Sequence, residues 1–130
     1  MRLTICLTAA AVLCASSTPL IAKSAKHTAF QLNETTWTFT DKKQGKVKES
    51  IDPEGKYIAQ TIRGKHLDHG TAVMKGAKAC FTSAMTKEGE ICWTTPAHAM
   101  AIGHSFVTRS DKGEKLKVTR VAYTKLSMPK

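Results

Sequence analysis

Hydrophobic and polar positions alternate along most of the chain from Trp37 onward. Trp37 and Phe39 alternate with threonines, which is the two-residue period of a half-buried β-strand. Similar short runs follow at 47–51, 57–62, 71–74, 79–85, 91–94, 106–109 and 116–123. Beyond the N-terminal segment, no run of ten residues shows the period of an amphipathic helix. The pattern therefore predicts an all-β chain with about eight short strands.

Turn signals separate these runs at short intervals. The stretches 52–55, 86–89 and 110–113 each end on glycine, as a type I turn followed by a left-handed residue requires. One longer connection, at 95–103, interrupts the series. Strands joined by such turns form an antiparallel meander. We expect a small up-and-down barrel, in which closure removes exposed sheet edges, with a two-sheet sandwich as the alternative.

The N-terminal segment has the features of a secretory signal peptide. Arg2 precedes the apolar run 3–14, and a short stretch of mostly small residues leads to a cleavage site after Ala22 or, alternatively, after Ser24. An apolar run of this length is too short to span a bilayer. We therefore expect export and no transmembrane helix in the mature protein.

This interpretation divides the chain into three parts. They are a signal peptide at 1–22, a flexible leader at 23–34 and a single β domain at 35–130. The 130-residue chain without its first 22 residues keeps 108, which is enough for one domain with a modest core. The mature protein is then periplasmic or secreted, in a compartment where disulfides persist.

Export limits how the cysteines can be used. Cys6 and Cys14 leave with the signal peptide, so Cys80 and Cys92 remain. A zinc site normally needs four ligands at shorter spacing, and a catalytic thiol needs a free cysteine beside a histidine. We therefore expect a structural disulfide, with a redox pair or unpaired thiols as alternatives. A three-residue loop at 87–89 would hold the two cysteines too far apart, so direct pairing requires a wider loop or a bulge.

Histidines offer a second kind of site. His66 and His69 flank Asp68, and a metal shell would be completed by Asp68, Met100 or His104. Imidazole with thioether suits copper, and imidazole with carboxylate suits zinc. On a regular strand, however, residues three apart point to opposite faces, so a turn would be needed to bring the imidazoles together. A metal-binding module is therefore an alternative interpretation, and otherwise no cofactor is expected.

The chain contains no recognisable catalytic constellation. The stretch 103–107 begins like a nucleophile elbow, but Val107 stands where the second glycine belongs. Acidic residues such as Glu49 lie near turns, where solvation is the ordinary explanation. No glycine-rich phosphate loop precedes a helix. We therefore expect a protein that is not an enzyme, with an enzyme of unknown class as an alternative.

Large aromatic residues occur in most of the predicted strands. They are Trp37, Phe39, Tyr57, Phe81, Trp93, Phe106 and Tyr123. In a domain of this size, large side chains are needed to fill the core. The alternative is that they line a ligand cavity at the mouth of the barrel.

Two stretches of the sequence resemble small exported proteins of Gram-negative bacteria. They are TWTFTDKKQGKVKESIDPEGKYIAQ and GTAVMKGAKACFTSAMTKEGEICW, and the likeness extends over residues 35–123. The resemblance implies a series of hairpins with one cysteine pair and brings no catalytic residues. In size and class the chain is also similar to the periplasmic lysozyme inhibitors, but a strongly basic protein is a poor inhibitor of a basic enzyme.

The chain is strongly basic. Its formal net charge is +10, and loss of Arg2 with the signal peptide lowers this value by one, to +9. The excess serves solubility or an anionic partner. Lys115 and Lys117 share one face of the last strand, Arg109 faces them across the final hairpin, and Lys125 follows. We expect a non-catalytic binding protein that uses these residues to engage an anionic envelope component or an acidic protein, whereas nucleic acid is not expected after export.

Overall fold

The computed structural model describes residues 28–130, which form eight β-strands and no helix. The strands are β1 (Thr35–Asp41), β2 (Gly45–Ile51), β3 (Lys56–Thr61), β4 (His66–Lys75), β5 (Lys78–Ser83), β6 (Glu90–Thr94), β7 (Ser105–Arg109) and β8 (Lys115–Val121). The all-β prediction is confirmed. Within residues 28–130 no helix is present that could cross a membrane. The predicted signal peptide at 1–22 lies outside the described residues.

The strands form one antiparallel sheet that curls on itself. Its order is β6-β5-β4-β3-β2-β1-β8-β7, so chain neighbours pair throughout and β8 returns to β1. The two edge strands meet through a bridge between Trp93 and Ser110. The Thr108 hydroxyl also donates to the carbonyl of Thr94 at 2.8 Å. The sheet is therefore a nearly closed barrel, as the meander predicted.

Alternate residues of each strand point into the barrel. The buried core consists of Leu32, Trp37, Ile51, Tyr57, Ala72, Ala79 and Val118. At one end, the rings of Phe30, Trp37 and Phe106 pack with centroids 5.7 to 6.1 Å apart, in the stacked and edge-on arrangements that aromatic pairs prefer. Large side chains thus fill this end of the interior.

The segment at 28–34 differs from the prediction of a flexible leader. Ala29 forms a bridge with His98, and Leu32 is only 3% exposed. Phe30 stacks on Trp37. Burial of these two apolar side chains offsets the entropy lost when the segment is ordered. The packed domain therefore begins before residue 35 and includes residues 28–34.

The disulfide between Cys80 and Cys92 joins β5 to β6, which confirms the predicted bridge. The two cysteines stand directly opposite each other in the strand register. The connection is the wider loop that direct pairing requires rather than three residues at 87–89, because β5 ends at Ser83 and the loop occupies 84–89. At the start of this wider loop, the Ser83 hydroxyl accepts hydrogen bonds from the backbone N–H groups of Met85 and Thr86, at 3.0 and 3.1 Å.

The C-terminal segment, residues 122–130, lies on the outer face of the barrel. The carbonyl of Thr124 accepts a hydrogen bond from the Ser50 hydroxyl at 2.6 Å. Its N–H donates to the Thr36 hydroxyl at 2.8 Å. Thr36 and Ser50 point outward yet are 0% and 5% exposed, because the C-terminal segment covers them.

Candidate functional site

The barrel contains a cavity of about 680 Å³ that is open to solvent, and its volume lies within the size range of small-ligand sites. Its apolar lining includes Trp37, Phe39, Tyr57, Phe81, Trp93, Phe106 and Leu116. Its inner polar groups are Glu49 on β2, Asp68 on β4 and Ser83 on β5. Most of the aromatic side chains therefore fill both roles considered above, since they form the core and also line this cavity. Trp93 only lines the cavity, and Tyr123 does neither, because it lies at the surface.

The strand register places Glu49 and Asp68 in one row across the inner face. Glu49 pairs with Ala59, and Ala59 pairs with Asp68. Adjacent strands lie about 4.8 Å apart, so the Cα atoms of the two acidic residues are separated by roughly 10 Å. Both acidic residues line the cavity, and the small, buried Ala59 stands between them in the register.

Asp68 is held by three hydrogen-bond donors. The Tyr57 hydroxyl donates to Oδ2 at 2.8 Å, and the Ser83 hydroxyl donates to Oδ1 at 2.6 Å. The backbone N–H of His69 also donates to Oδ1, at 2.8 Å. An ionised carboxylate only accepts hydrogen bonds, so three donors suit it. The network fixes a negative charge in the cavity wall.

Gly70 allows Tyr57 to reach Asp68. It stands opposite Tyr57 in the register, and a Cβ at this position would lie 2.9 Å from Cε1 of the tyrosine ring and 2.0 Å from the carbonyl oxygen of Thr82. On the other side, Phe81 packs edge-on against the ring of Tyr57 at 5.3 Å. Here glycine is required by close approach rather than by its backbone angles.

The inner position of Glu49 favours the protonated form of its carboxyl group. Burial, and to a lesser extent the negative charge of Asp68, raises the pKa of Glu49 to about 8. Burial and the hydrogen bond to Asp68 also raise the pKa of Tyr57 well above its usual range, so the phenol stays a donor. Among the inner polar groups of the cavity, the hydrogen-bonded carboxylate of Asp68 therefore stands across from a glutamate whose protonated form is favoured.

The interpretation of Glu49 as a solvated residue near a turn is wrong. Glu49 stands opposite Trp37 in the β1–β2 register and lines the cavity. The sequence contained a signal for this position, because Val47, Glu49 and Ile51 share a face on a two-residue period. Both flanking residues are buried. An acidic residue between two core positions of one strand points inward.

The structure brings together only two of the predicted metal ligands. His66 and His69 lie side by side, with ring centroids 5.2 Å apart. Asp68 cannot join them, because it lies on the inner face and is held by its own donors. His104 precedes β7 and lies elsewhere on the barrel, and Met100 packs against the core.

Among residues 28–130, one group of three metal-ligating side chains is found. It consists of Cys80, Glu90 and Cys92. The disulfide removes both thiolates from this group, and the Glu90 carboxylate forms an ion pair with Lys75 at 2.7 Å. The group is therefore a structural cross-link rather than a metal site.

Three of the predicted anion-binding residues share one outer face. Arg109 stands directly opposite Lys115, and Lys117 follows two residues along the same strand. All three are exposed, and neither ion pair seen in the described part of the chain involves them. We call Arg109, Lys115 and Lys117 the basic hairpin face. Lys125 is not part of it, because the C-terminal segment places it beside His69.

Comparison with protein-family models, with curated proteins and with solved structures gives no match. The resemblance to small exported proteins therefore stays a prediction. The function has to be inferred from the cavity, the charges around it and the outer faces of the barrel.

Proposed function

We propose that the protein binds a small ligand inside its barrel, and that the ligand has an apolar body and a positively charged amine-type group. The observation that carries this proposal is the carboxylate of Asp68, fixed by three donors in a cavity with aromatic walls. Neither ion pair among residues 28–130 includes Asp68. A partly buried charge without a counter-ion is unfavourable, and a cationic ligand would supply the partner.

The aromatic walls favour the same ligand chemistry. A cation within about 6 Å of an aromatic ring centre is attracted by the negative face of the ring. Tyr57 and Phe81 form such a wall next to Asp68. The carboxyl group of Glu49 can also form hydrogen bonds with the ligand. A nearby cation would lower the pKa of Glu49 and favour its negatively charged form.

Charged residues at the mouth of the cavity do not oppose this preference. The acidic ones are Asp41, Glu88 and Glu114, and the basic ones are Lys42, Lys43 and Lys115, the last of which also belongs to the basic hairpin face. Their formal charges cancel, and most of them are exposed to water, where screening weakens their field. The charge inside the cavity therefore dominates the selection of the ligand.

The experiment compares a charged probe with its uncharged isostere. Phenyltrimethylammonium and tert-butylbenzene have nearly the same shape, and both tryptophans of the chain line the cavity, so their fluorescence reports binding. We expect saturable binding of the cation, tighter than that of the isostere. Asp68→Asn should abolish the preference while the thermal midpoint confirms folding. Equal affinities in wild type, or no saturable binding of the cation, would contradict the proposal.

A second candidate function rests on the basic hairpin face. Three exposed cations on one face, without acidic partners, suit an anionic surface. The disulfide supports an oxidising compartment. We accordingly propose the periplasm or the exterior as the location, and an anionic envelope lipid as the partner.

Vesicle sedimentation tests this second candidate. Protein should sediment with phosphatidylglycerol vesicles but not with phosphatidylcholine vesicles, and added salt should weaken the association. The triple variant Arg109→Gln, Lys115→Gln, Lys117→Gln should lose it. The matched variant Arg63→Gln, Lys65→Gln, Lys87→Gln also removes three exposed positive charges, but at positions outside the basic hairpin face. Equal losses in both variants would show that net charge, rather than this face, drives association.

A further inference from the structure

A β-bulge places His66 and His69 on the same outer face. On a regular strand, residues three apart would point to opposite sides of the sheet. Here the register shifts between Ala59 and Gln60, so that His66 stands opposite Gln60 and His69 stands opposite Ile58. Gln60 and Ile58 share a face, and their partners therefore share it too. The bulge inserts the extra residue that this arrangement needs.

Both imidazoles have a buried nitrogen without a partner. In the part of the chain that the structure describes, His66 Nε2 and His69 Nδ1 are the buried side-chain nitrogens that form no hydrogen bond. Leaving a buried polar atom unpaired costs about 1–3 kcal/mol, and natural structures rarely do so without a reason. Two such atoms on adjacent rings indicate a shared partner.

The spacing of the rings fits one metal ion. Imidazole nitrogens bind zinc or copper at about 2.0 Å, so two such ligands hold their ring centroids roughly 4.5 Å apart at the right angle of a tetragonal copper site and roughly 5 Å apart at a tetrahedral angle. The observed separation is 5.2 Å, with the rings tilted by 45°. A small cavity of about 160 Å³ lies beside His69 beneath the C-terminal segment, and His66 is not among its lining residues.

We propose that His66 and His69 form a binding site for one transition-metal ion, with Cu²⁺ preferred over Zn²⁺. Imidazole nitrogens bind both ions. A given site generally binds Cu²⁺ more tightly than the other divalent ions of the first transition row, including Zn²⁺. The site is on the outer face, opposite the cavity that Asp68 lines. It is therefore independent of the ligand proposed for the barrel.

The test uses the exported chain with His27→Gln, so that only the described histidines remain. Substoichiometric Cu²⁺ should broaden the ring-proton NMR signals of His66 and His69 before those of His98 and His104. In competition with glycine as chelator, His66→Gln and His69→Gln should each weaken Cu²⁺ binding about tenfold or more, whereas His104→Gln should leave it unchanged.

Two results would overturn the metal site. One is equal broadening of all four histidines in the His27→Gln chain, which carries no substitution at the proposed site. The other is unchanged Cu²⁺ affinity in both single variants. Asp68→Asn should keep Cu²⁺ binding although it loses the preference for the cationic ligand in the barrel. The two proposals can therefore fail independently of each other.

Discussion

The hydroxyl of Tyr57 donates a hydrogen bond of 2.8 Å to the carboxylate of Asp68 on the neighbouring strand. This contact joins the fold to the proposed site, because Tyr57 belongs to the buried core and Asp68 carries the charge of the cavity. The tyrosine ring reaches across because Gly70 has no side chain. The position of the charge therefore depends on packing in β3, β4 and β5.

Tyr57→Phe removes one of the three donors to Asp68 and keeps the ring. We expect the free energy of unfolding to fall by about 1–3 kcal/mol, because a partly buried carboxylate loses a partner. Urea denaturation measures the change. Tyr123→Phe is the matched control, since Tyr123 lies at the surface with 38% exposed, and it should change stability by less than about 0.5 kcal/mol. Equal effects of the two substitutions would argue against the network.

Gly70→Ala should destabilise the barrel by about 3 kcal/mol or more, because the new Cβ would overlap the carbonyl oxygen of Thr82 at 2.0 Å and force β4 and β5 apart. Gly45→Ala provides the comparison, since nothing lies within 4 Å of its Cβ and only its positive φ is unfavourable, at about 1–2 kcal/mol. Chemical denaturation of both variants is the measurement. A loss at Gly70 no larger than that at Gly45 would contradict the close approach.

Glu49→Gln should change how stability depends on pH. Folding raises the pKa of Glu49 from its ordinary value of 4.5 to about 8, so between these values the folded state binds more protons than the unfolded state. Stability must then fall as pH rises from 4.5 to 8. We expect the wild type to lose about 2–4 kcal/mol relative to Glu49→Gln over this window, measured by urea unfolding across it. Parallel pH profiles would show that Glu49 is not buried as described.

Removal of the disulfide should cost about 3 kcal/mol, the chain-entropy value for a loop of this length. The double variant Cys80→Ser, Cys92→Ser should therefore unfold at a lower temperature than the wild type, and a reductant should lower only the wild-type midpoint. A stabilising role for the bridge would be contradicted if mass analysis shows that both thiols are free and the unfolding temperature of the wild type is nevertheless unchanged by the reductant.

Local patterns predicted most of the sheet. The two-residue period at Trp37 and Phe39 and the glycine-ended turns lead to eight strands in a meander, because each of these signals depends on neighbouring residues alone. The cysteine pair also followed from counting the thiols that lie outside the predicted signal peptide. These features need no knowledge of distant contacts.

The features that build the candidate sites depend on contacts between strands. The bulge that aligns His66 with His69 is visible only in the pairing of β3 with β4. Phe30 and Leu32 have no regular period, because their burial comes from the end of the barrel rather than from a strand. The inward position of Glu49 was readable from its strand, but its raised pKa depends on Asp68 and on burial in the closed barrel.

The most direct test of the central claim is to locate a bound cation inside the barrel. Intermolecular nuclear Overhauser effects between the methyl protons of phenyltrimethylammonium and the assigned protein would do this. We predict contacts with the ring protons of Tyr57 and Phe81, which flank Asp68 in the cavity wall. Contacts confined to residues of the outer face, or none at a saturating concentration of the probe, would contradict the account.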